Sequence, residues 1–223
     1  MRRRPEPEIM GGEEQARAYA EADFSEPNLR FLELLAAMHP GDLAGAGVLD
    51  LGCGPADIVI RFLTRYPGAR CDALDGSAAM LDHARKAMDA LPGVAGRCRL
   101  LCHSLPCAEL PADHYDLILS NSLLHHLHDP QVLWRTIRES ARPGAIVLVM
   151  DLMRPASAGW AEALVETYAA DAPEVLKNDF RSSLFAAFEP REVQAQIEEA
   201  GLGMLEVRVV SDRHLAVSGR LPG

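Results

Sequence analysis

Two acids and a pair of glycines are the residues of this chain best placed to do chemistry together. Asp50 sits in the apolar run Val48-Leu49-Asp50-Leu51, and Gly52-Cys53-Gly54 follows at once. Glycine carries no Cβ and accepts positive φ, so a ligand can approach the main chain closely there. A helical pattern then starts at Asp57, and a helix start offers free N–H groups. The second acid, Asp75, closes the next apolar run, Cys71–Leu74, and is followed by Gly76-Ser77. A carboxylate at that place can accept hydrogen bonds from the hydroxyls of a ribose. A third signal, Cys102-His103-Ser104-Leu105, lies just past a third strand-like run, at the natural edge for an adenine ring. Each alone has a bland explanation as a turn or a helix cap. Together, at successive strand ends, they point to a nucleoside cofactor.

The charge pattern narrows which one. A dinucleotide site wants G-x-G-x-x-G, with the pyrophosphate on the helix N-terminus. Here Asp57 stands where the third glycine belongs. A carboxylate there repels a pyrophosphate but not the ammonium and sulfonium of S-adenosylmethionine, and Asp50 could pair with that ammonium directly or through water. Methyl transfer needs a nucleophile held near the methyl and, for some acceptors, a base. After the fourth strand-like run, Tyr115–Ser120, come Asn121 and then His125, His126 and His128. Histidine has a suitable pKa for proton removal, and His125 is the candidate, against the alternative that it only packs. No metal site is expected. The three histidines lack a matching carboxylate spacing, and Cys98, Cys102, His103 and Cys107 contain no C-x-x-C pair.

These residues need a scaffold of alternating strands and helices. Strand patterns at Val48–Leu51, Cys71–Leu74, Arg97–Cys102, Tyr115–Ser120 and Ala145–Met150 alternate with helical ones at Asp57–Tyr66, Ser77–Ala90 and Pro130–Ala141. That alternation implies a parallel sheet covered on both faces. Residues 1–12 read as a disordered leader and residues 13–39 as helices broken near Pro27. Residues 155–188 read as a helix-rich insertion that builds a substrate lid, with Phe180 and Phe185 lining an apolar pocket and Arg154 and His214 as polar candidates near its mouth. A helix over Pro190–Ala200 precedes two closely joined strands, Met204–Val210 and Arg213–Ser218, most simply a hairpin that ends the sheet with an antiparallel strand.

The net charge of −10 argues against an electrostatic grip on nucleic acid. Hydrophobic residues at 48% and charged residues at 24% over 223 positions fit one globular domain. Met1-Arg2-Arg3-Arg4 is followed by Pro5-Glu6-Pro7-Glu8 rather than an apolar core, so no secretory signal is read, and no apolar run approaches the ~20 residues of a membrane span. The five cysteines then read as reduced thiols of a cytoplasmic protein.

At this point the chain resembles the class I S-adenosylmethionine-dependent methyltransferases. Val48–Gly54 looks like their first motif, Ala73–Leu81 like the second, Tyr115–Leu127 like the fourth, and Arg142-Pro143-Gly144-Ala145 like the turn before strand five. The resemblance covers about residues 45–152 and is nearest to the branch that modifies small molecules. It implies a Rossmann-like, mostly parallel seven-stranded α/β sheet with an antiparallel C-terminal strand and helices on both faces. It implies lid helices within residues 1–40, a methyltransferase domain over 41–223, and transfer of a methyl group to an oxygen, nitrogen or carbon of a small molecule. Asp50, Gly52, Cys53 and Gly54 would hold the methionine part, and Asp75, with Gly76 and Ser77, the ribose. Met80 would pack near the adenine, His103, Ser104 and Leu105 would border it, and Asn121 would lie near the methionine end. Tyr19 and Phe24 would close as a lid. Ala56 and His103 depart from the family pattern, which has glycine and an acid there. Asn121-Ser122-Leu123-Leu124 differs from the loop used on planar amide or adenine nitrogens. An RNA or protein methyltransferase, a non-catalytic S-adenosylmethionine-binding partner, a nucleotide-dependent oxidoreductase and a homodimer all remain open.

Overall fold

A computed structural model describes residues 1–6, 12–39 and 41–223. Two N-terminal helices, α1 (Glu13–Glu21) and α2 (Ser25–Met38), precede the alternating part: β1 (Gly47–Leu51), α3 (Asp57–Arg65), β2 (Arg70–Asp75), α4 (Ala78–Asp89), the single turn α5 (Pro92–Ala95), β3 (Cys98–Cys102), β4 (Tyr115–Asn121), α6 (Gln131–Ser140) and β5 (Ala141–Leu152). The insertion supplies α7 (Ala158–Tyr168) and α8 (Glu174–Ala186), and α9 (Pro190–Glu199), β6 (Glu206–Val209) and β7 (His214–Arg220) complete the chain. The seven strands lie in the order β3-β2-β1-β4-β5-β7-β6. β1 to β5 run parallel, and β7 pairs antiparallel with both β5 and β6. The Rossmann-like seven-stranded sheet read from the sequence is the one found.

Strand alternation explains how helices cover both faces, because successive side chains point to opposite sides. Val48, Leu117, Leu119, Leu148 and Ala216 pack with α2, α3 and α4 in one core. Their neighbours Leu49, Ile118, Val147, Leu215 and Val217 pack with α6 and α9 in the other. α7 and α8 enclose a small third core with Leu152. Local caps fix the helix starts: the Ser77 and Ser157 hydroxyls accept from the Met80 and Trp160 amides, and Pro190 opens α9.

Four differences from the sequence reading have simple causes. The N-terminal helices break at residues 22–24, before Pro27, which sits inside the first turn of α2, where proline's missing N–H costs nothing. β5 begins at Ala141 rather than Ala145, because Ala141 pairs with Tyr115 and a register shift absorbs residues 142–145. Pro92–Ala95 forms a helical turn where only a chain reversal is expected. Residues 1–6, read as disordered, are docked: the Arg4 amide donates to the Phe185 carbonyl at 2.9 Å, and the Arg3 guanidinium donates to the carbonyls of Ala186, His125 and Leu127. Residues 7–11 of that leader lie outside the described residues.

Candidate active site

The sheet topology reverses between β1 and β4, and such a switch point opens a crevice at the strands' C-terminal ends. A cavity of about 1080 Å³ occupies it, slightly larger than the range of about 300–1,000 Å³ for small-molecule sites. The β1–α3 turn forms one wall. Gly52 has φ of 76° and Gly54 of 54°. A Cβ on Gly52 would stand 2.9 Å from Leu123 Cβ, while one on Gly54 would meet no protein atom within 4 Å. Gly52 is therefore required by packing, and Gly54 leaves a cradle at the cavity wall. Ala56 also takes a left-handed conformation, φ 65°, so the departure from glycine keeps the family-like turn at the expense of strain, roughly 1–2 kcal/mol.

Both acids border this turn. Asp50 is buried, 3% exposed, and burial, then the neighbouring Asp75 charge, pushes its carboxyl up to about 7. Asp75 is oriented by main-chain donors: the Gly54 amide reaches Oδ2 and the Ser77 amide reaches Oδ1, both at 2.8 Å. Burial raises its pKa, and those two hydrogen bonds oppose the rise. Each oxygen keeps a lone pair for a ligand hydroxyl. Tyr19, Cys53, Gly76, Met80, His103, Ser104, Leu105 and Asn121 line the same cavity. Tyr19 and Phe24 stack at 4.6 Å over it, and burial pushes the Tyr19 hydroxyl up to about 12. Among the described residues the Oδ1 of Asn121 is buried with no hydrogen-bond partner, an acceptor open to a donor. An unpaired amide oxygen, one buried and one half-buried carboxylate and an open glycine cradle fit a ligand carrying an ammonium and a diol, as S-adenosylmethionine does. Asp57 lines the cavity but is held by Arg61 at 2.9 Å and by the Asn28 amide, so its charge is partly compensated and its repulsion of a phosphate is weaker than the bare sequence suggests.

The cavity continues past Asn121 into a chamber lined by Leu152, Leu176, Asp179, Phe180, Ser183 and His214. His125 and His126 line it too. They sit on a 3-10 turn after β4, so the strand end aims both at the chamber. His125 is buried, and its Nδ1 lies 2.5 Å from Asp151 Oδ1. Burial alone would lower the His125 pKa, but the Asp151 charge and hydrogen bond, aided by Glu6, hold it above its ordinary value. His214 behaves oppositely: burial, then the Arg213 charge, lowers it to about 4, so it is neutral at pH 7 and hydrogen-bonds Ser211 Oγ at 2.9 Å.

Three residues expected at the site lie outside the cavity lining. Ser77 caps α4 and is 3% exposed. Arg154 turns away into ion pairs with Glu189 at 2.9 Å and Glu192 at 2.7 Å. Phe185 faces the N-terminal segment, with the Arg4 guanidinium 5.0 Å from its ring. Conversely, sequence reasoning passed over two residues. Asp151 carried a usable signal, an acid at the C-terminal end of a central strand. Glu6 carried none, since nothing in the residues around it says where they dock.

Residues 49–147 match a family described as Methyltransferase domain. A trans-aconitate 2-methyltransferase from Azoarcus sp. is 32% identical over 126 residues, 56% of this chain and 46% of that protein. The chain spans about half the length of the curated relatives it matches. A S-adenosylmethionine-dependent methyltransferase from Aquifex aeolicus superposes with TM-score 0.67 at 18% identity, covering 93% of this chain and 98% of that one. The phosphoethanolamine N-methyltransferase 2 of Haemonchus contortus, solved with S-adenosyl-L-methionine, superposes with TM-score 0.68 at 14% identity, covering 87% of this chain and 53% of that one. Residues 49–147 thus match a methyltransferase domain, and the whole sheet has the fold of solved S-adenosylmethionine-dependent methyltransferases, with a crevice that fits that cofactor.

Proposed function

We propose that this protein methylates a small molecule in the chamber beside His125. The observation that carries the reading is the continuity of one cavity, from the Asp50–Gly54 turn and Asp75, past Asn121, into a recess covered by α8. S-adenosylmethionine, when bound, supplies an electrophilic methyl group on a sulfonium and leaves as S-adenosylhomocysteine. The chain's own residues bind and orient. Asp50 and Asn121 take the amino-acid end, Asp75 takes the ribose hydroxyls, and Met80 and Leu105 pack the base beside His103 and Ser104. Tyr19 and Phe24, from α1 and the start of α2, cover that half and exclude water. Leu152, Leu176 and Phe180 hold the acceptor's apolar part, and His214, kept neutral, offers it a hydrogen bond. Holding acceptor and donor in line is the main source of rate, because fixed orientation removes the entropy of encounter. His125, hydrogen-bonded through Nδ1 to Asp151, fixes the chamber floor and, with no ion on its Nε2, is the candidate for receiving an acceptor proton there.

An enclosed recess and a net charge of −10 favour a small acceptor over RNA. Calorimetry with S-adenosylhomocysteine and with NAD, followed by label transfer to panels of small molecules, transfer RNA and protein, tests this. Binding of S-adenosylhomocysteine, its loss in Asp75→Ala, and label on a small molecule are expected. Tight NAD binding alone, or label only on RNA or protein, overturns it.

A further inference from the structure

We propose that Glu6, His125 and His126 form a binding site for one divalent transition-metal ion in the wall of the acceptor chamber. Three histidines without a carboxylate were the reason to expect no metal. The carboxylate comes from the opposite end of the chain. Glu6 Oε1 lies 3.5 Å from His125 Nε2 and 3.3 Å from His126 Nδ1, and the three ligand atoms all fall within 4.8 Å of one another. Nitrogen and oxygen ligands bind zinc-like ions at about 2.0–2.1 Å, so ligand atoms in a tetrahedral set stand roughly 3.3 Å apart. The separations of 3.5 and 3.3 Å suit that shape before any ion is added.

The surroundings are those of a ligand set. His125 turns its other ring nitrogen to Asp151, the carboxylate–histidine pairing that fixes the tautomer and raises the basicity of a metal-bound imidazole. Glu6 Oε1 also accepts from Ser183 Oγ at 3.0 Å. The Glu6 backbone is brought there by Arg3, which donates to three carbonyls and lies 4.0 Å over the Phe188 ring. Two carboxylates, Glu6 and Asp151, balance the two charges of the ion. Imidazole and carboxylate donors without thiolate suit Zn²⁺, Fe²⁺ or Co²⁺ rather than Cu⁺ or Ca²⁺. Three protein ligands leave a coordination position for water or an acceptor oxygen, and both histidines already line the chamber. The competing arrangement is an ion-free network in which a protonated His125 bridges Glu6 and Asp151.

Cobalt titration of the full chain, chelator-stripped and without cofactor or acceptor, separates the two. One equivalent of Co²⁺ should bind with visible d–d bands and no thiolate charge-transfer band. Asp151→Asn should weaken binding about 10–100-fold; Glu6→Gln and His126→Ala should weaken it at least as much. Cys102→Ser/Cys107→Ser should change nothing. Circular dichroism and S-adenosylhomocysteine binding on the same samples show that each variant is folded, and they keep failure of this site distinct from failure of the cofactor site. Absence of stoichiometric cobalt binding, affinity unchanged in Glu6→Gln and His126→Ala, or a thiolate band each overturn the proposal and leave the ion-free network.

Discussion

Asp50→Asn should make the ligand-free protein more stable while weakening its hold on cofactor. Asp50 is 3% exposed, and burial and Asp75 push its pKa to about 7, against about 3.9 for a free aspartate. The folded state therefore binds this proton more tightly than the unfolded chain does. Stability is then lost as pH rises through the interval between those values, because ionisation is resisted only in the fold. At pH 8 the gap of about three units corresponds to a ceiling of about 4 kcal/mol at 1.36 kcal/mol per unit. Asparagine has the shape of the carboxyl without the charge, so it recovers most of that. At pH 5 the wild-type group is already protonated in the fold, and the advantage shrinks to roughly 1.5 kcal/mol. For a chain of this size 1 kcal/mol moves Tm by about 2–4 °C, so Tm at pH 8 should rise by about 6–12 °C. On the proposed pairing of Asp50 with the ammonium of S-adenosylhomocysteine, the variant removes a charged partner worth about 1.5–3 kcal/mol, a 10- to 150-fold weaker Kd. Scanning calorimetry at pH 5 and 8, with titration calorimetry at pH 8, reads all three quantities. An Asn protein no more stable than wild type at pH 8, or a stability difference independent of pH, would refute the argument.

Three further outcomes follow from the geometry. Gly52→Ala should destabilise by at least 1–2 kcal/mol in thermal melts, since alanine must adopt positive φ with its Cβ 2.9 Å from Leu123. Arg154→Ala should cost about 1.5–3 kcal/mol by removing the charged hydrogen-bond partner of Glu189 and Glu192, whose own carboxylates stay solvent-accessible, yet leave the Kd for S-adenosylhomocysteine unchanged, because the residue lies outside the cavity. Arg3→Ala should release the N-terminal segment: amide exchange around residues 183–188 and limited proteolysis ahead of α1 should both accelerate, with about 1–3 kcal/mol lost.

The residues that line the crevice at the strand ends were readable in the sequence because their signals are local. Strand alternation, the Gly52–Gly54 turn and the acids Asp50 and Asp75 each mark a strand end within a few residues of one another, and a parallel sheet brings successive strand ends to one edge. The deeper chamber was not, because its groups meet only through tertiary packing. Phe180 and Phe185 differ by five residues on α8, yet only Phe180 reaches the chamber. Arg154 follows a strand end as the cofactor acids do, but α9 offers it Glu189 and Glu192, which no nearby spacing announces. The proline-rich, charged composition at Arg3–Glu6 reads as disorder, and only the carbonyls left at the end of α8 and around the 3-10 turn reveal why it is ordered.

The docked N-terminal segment also dictates an order of manufacture. Every cofactor-side group, from Tyr19 to Asn121, has been synthesised once β4 is made. Arg3 and Glu6 meet partners only when residues 125–127 are made, 122 to 124 residues after Arg3, and their set is complete only when Ser183 and Ala186 emerge from the ribosome, 177 and 183 residues after Glu6 and Arg3. A growing chain can thus shape its cofactor crevice early, while Arg3 and Glu6 wait, only partly partnered and open to chaperones and peptidases, for the far side of their own pocket to be translated.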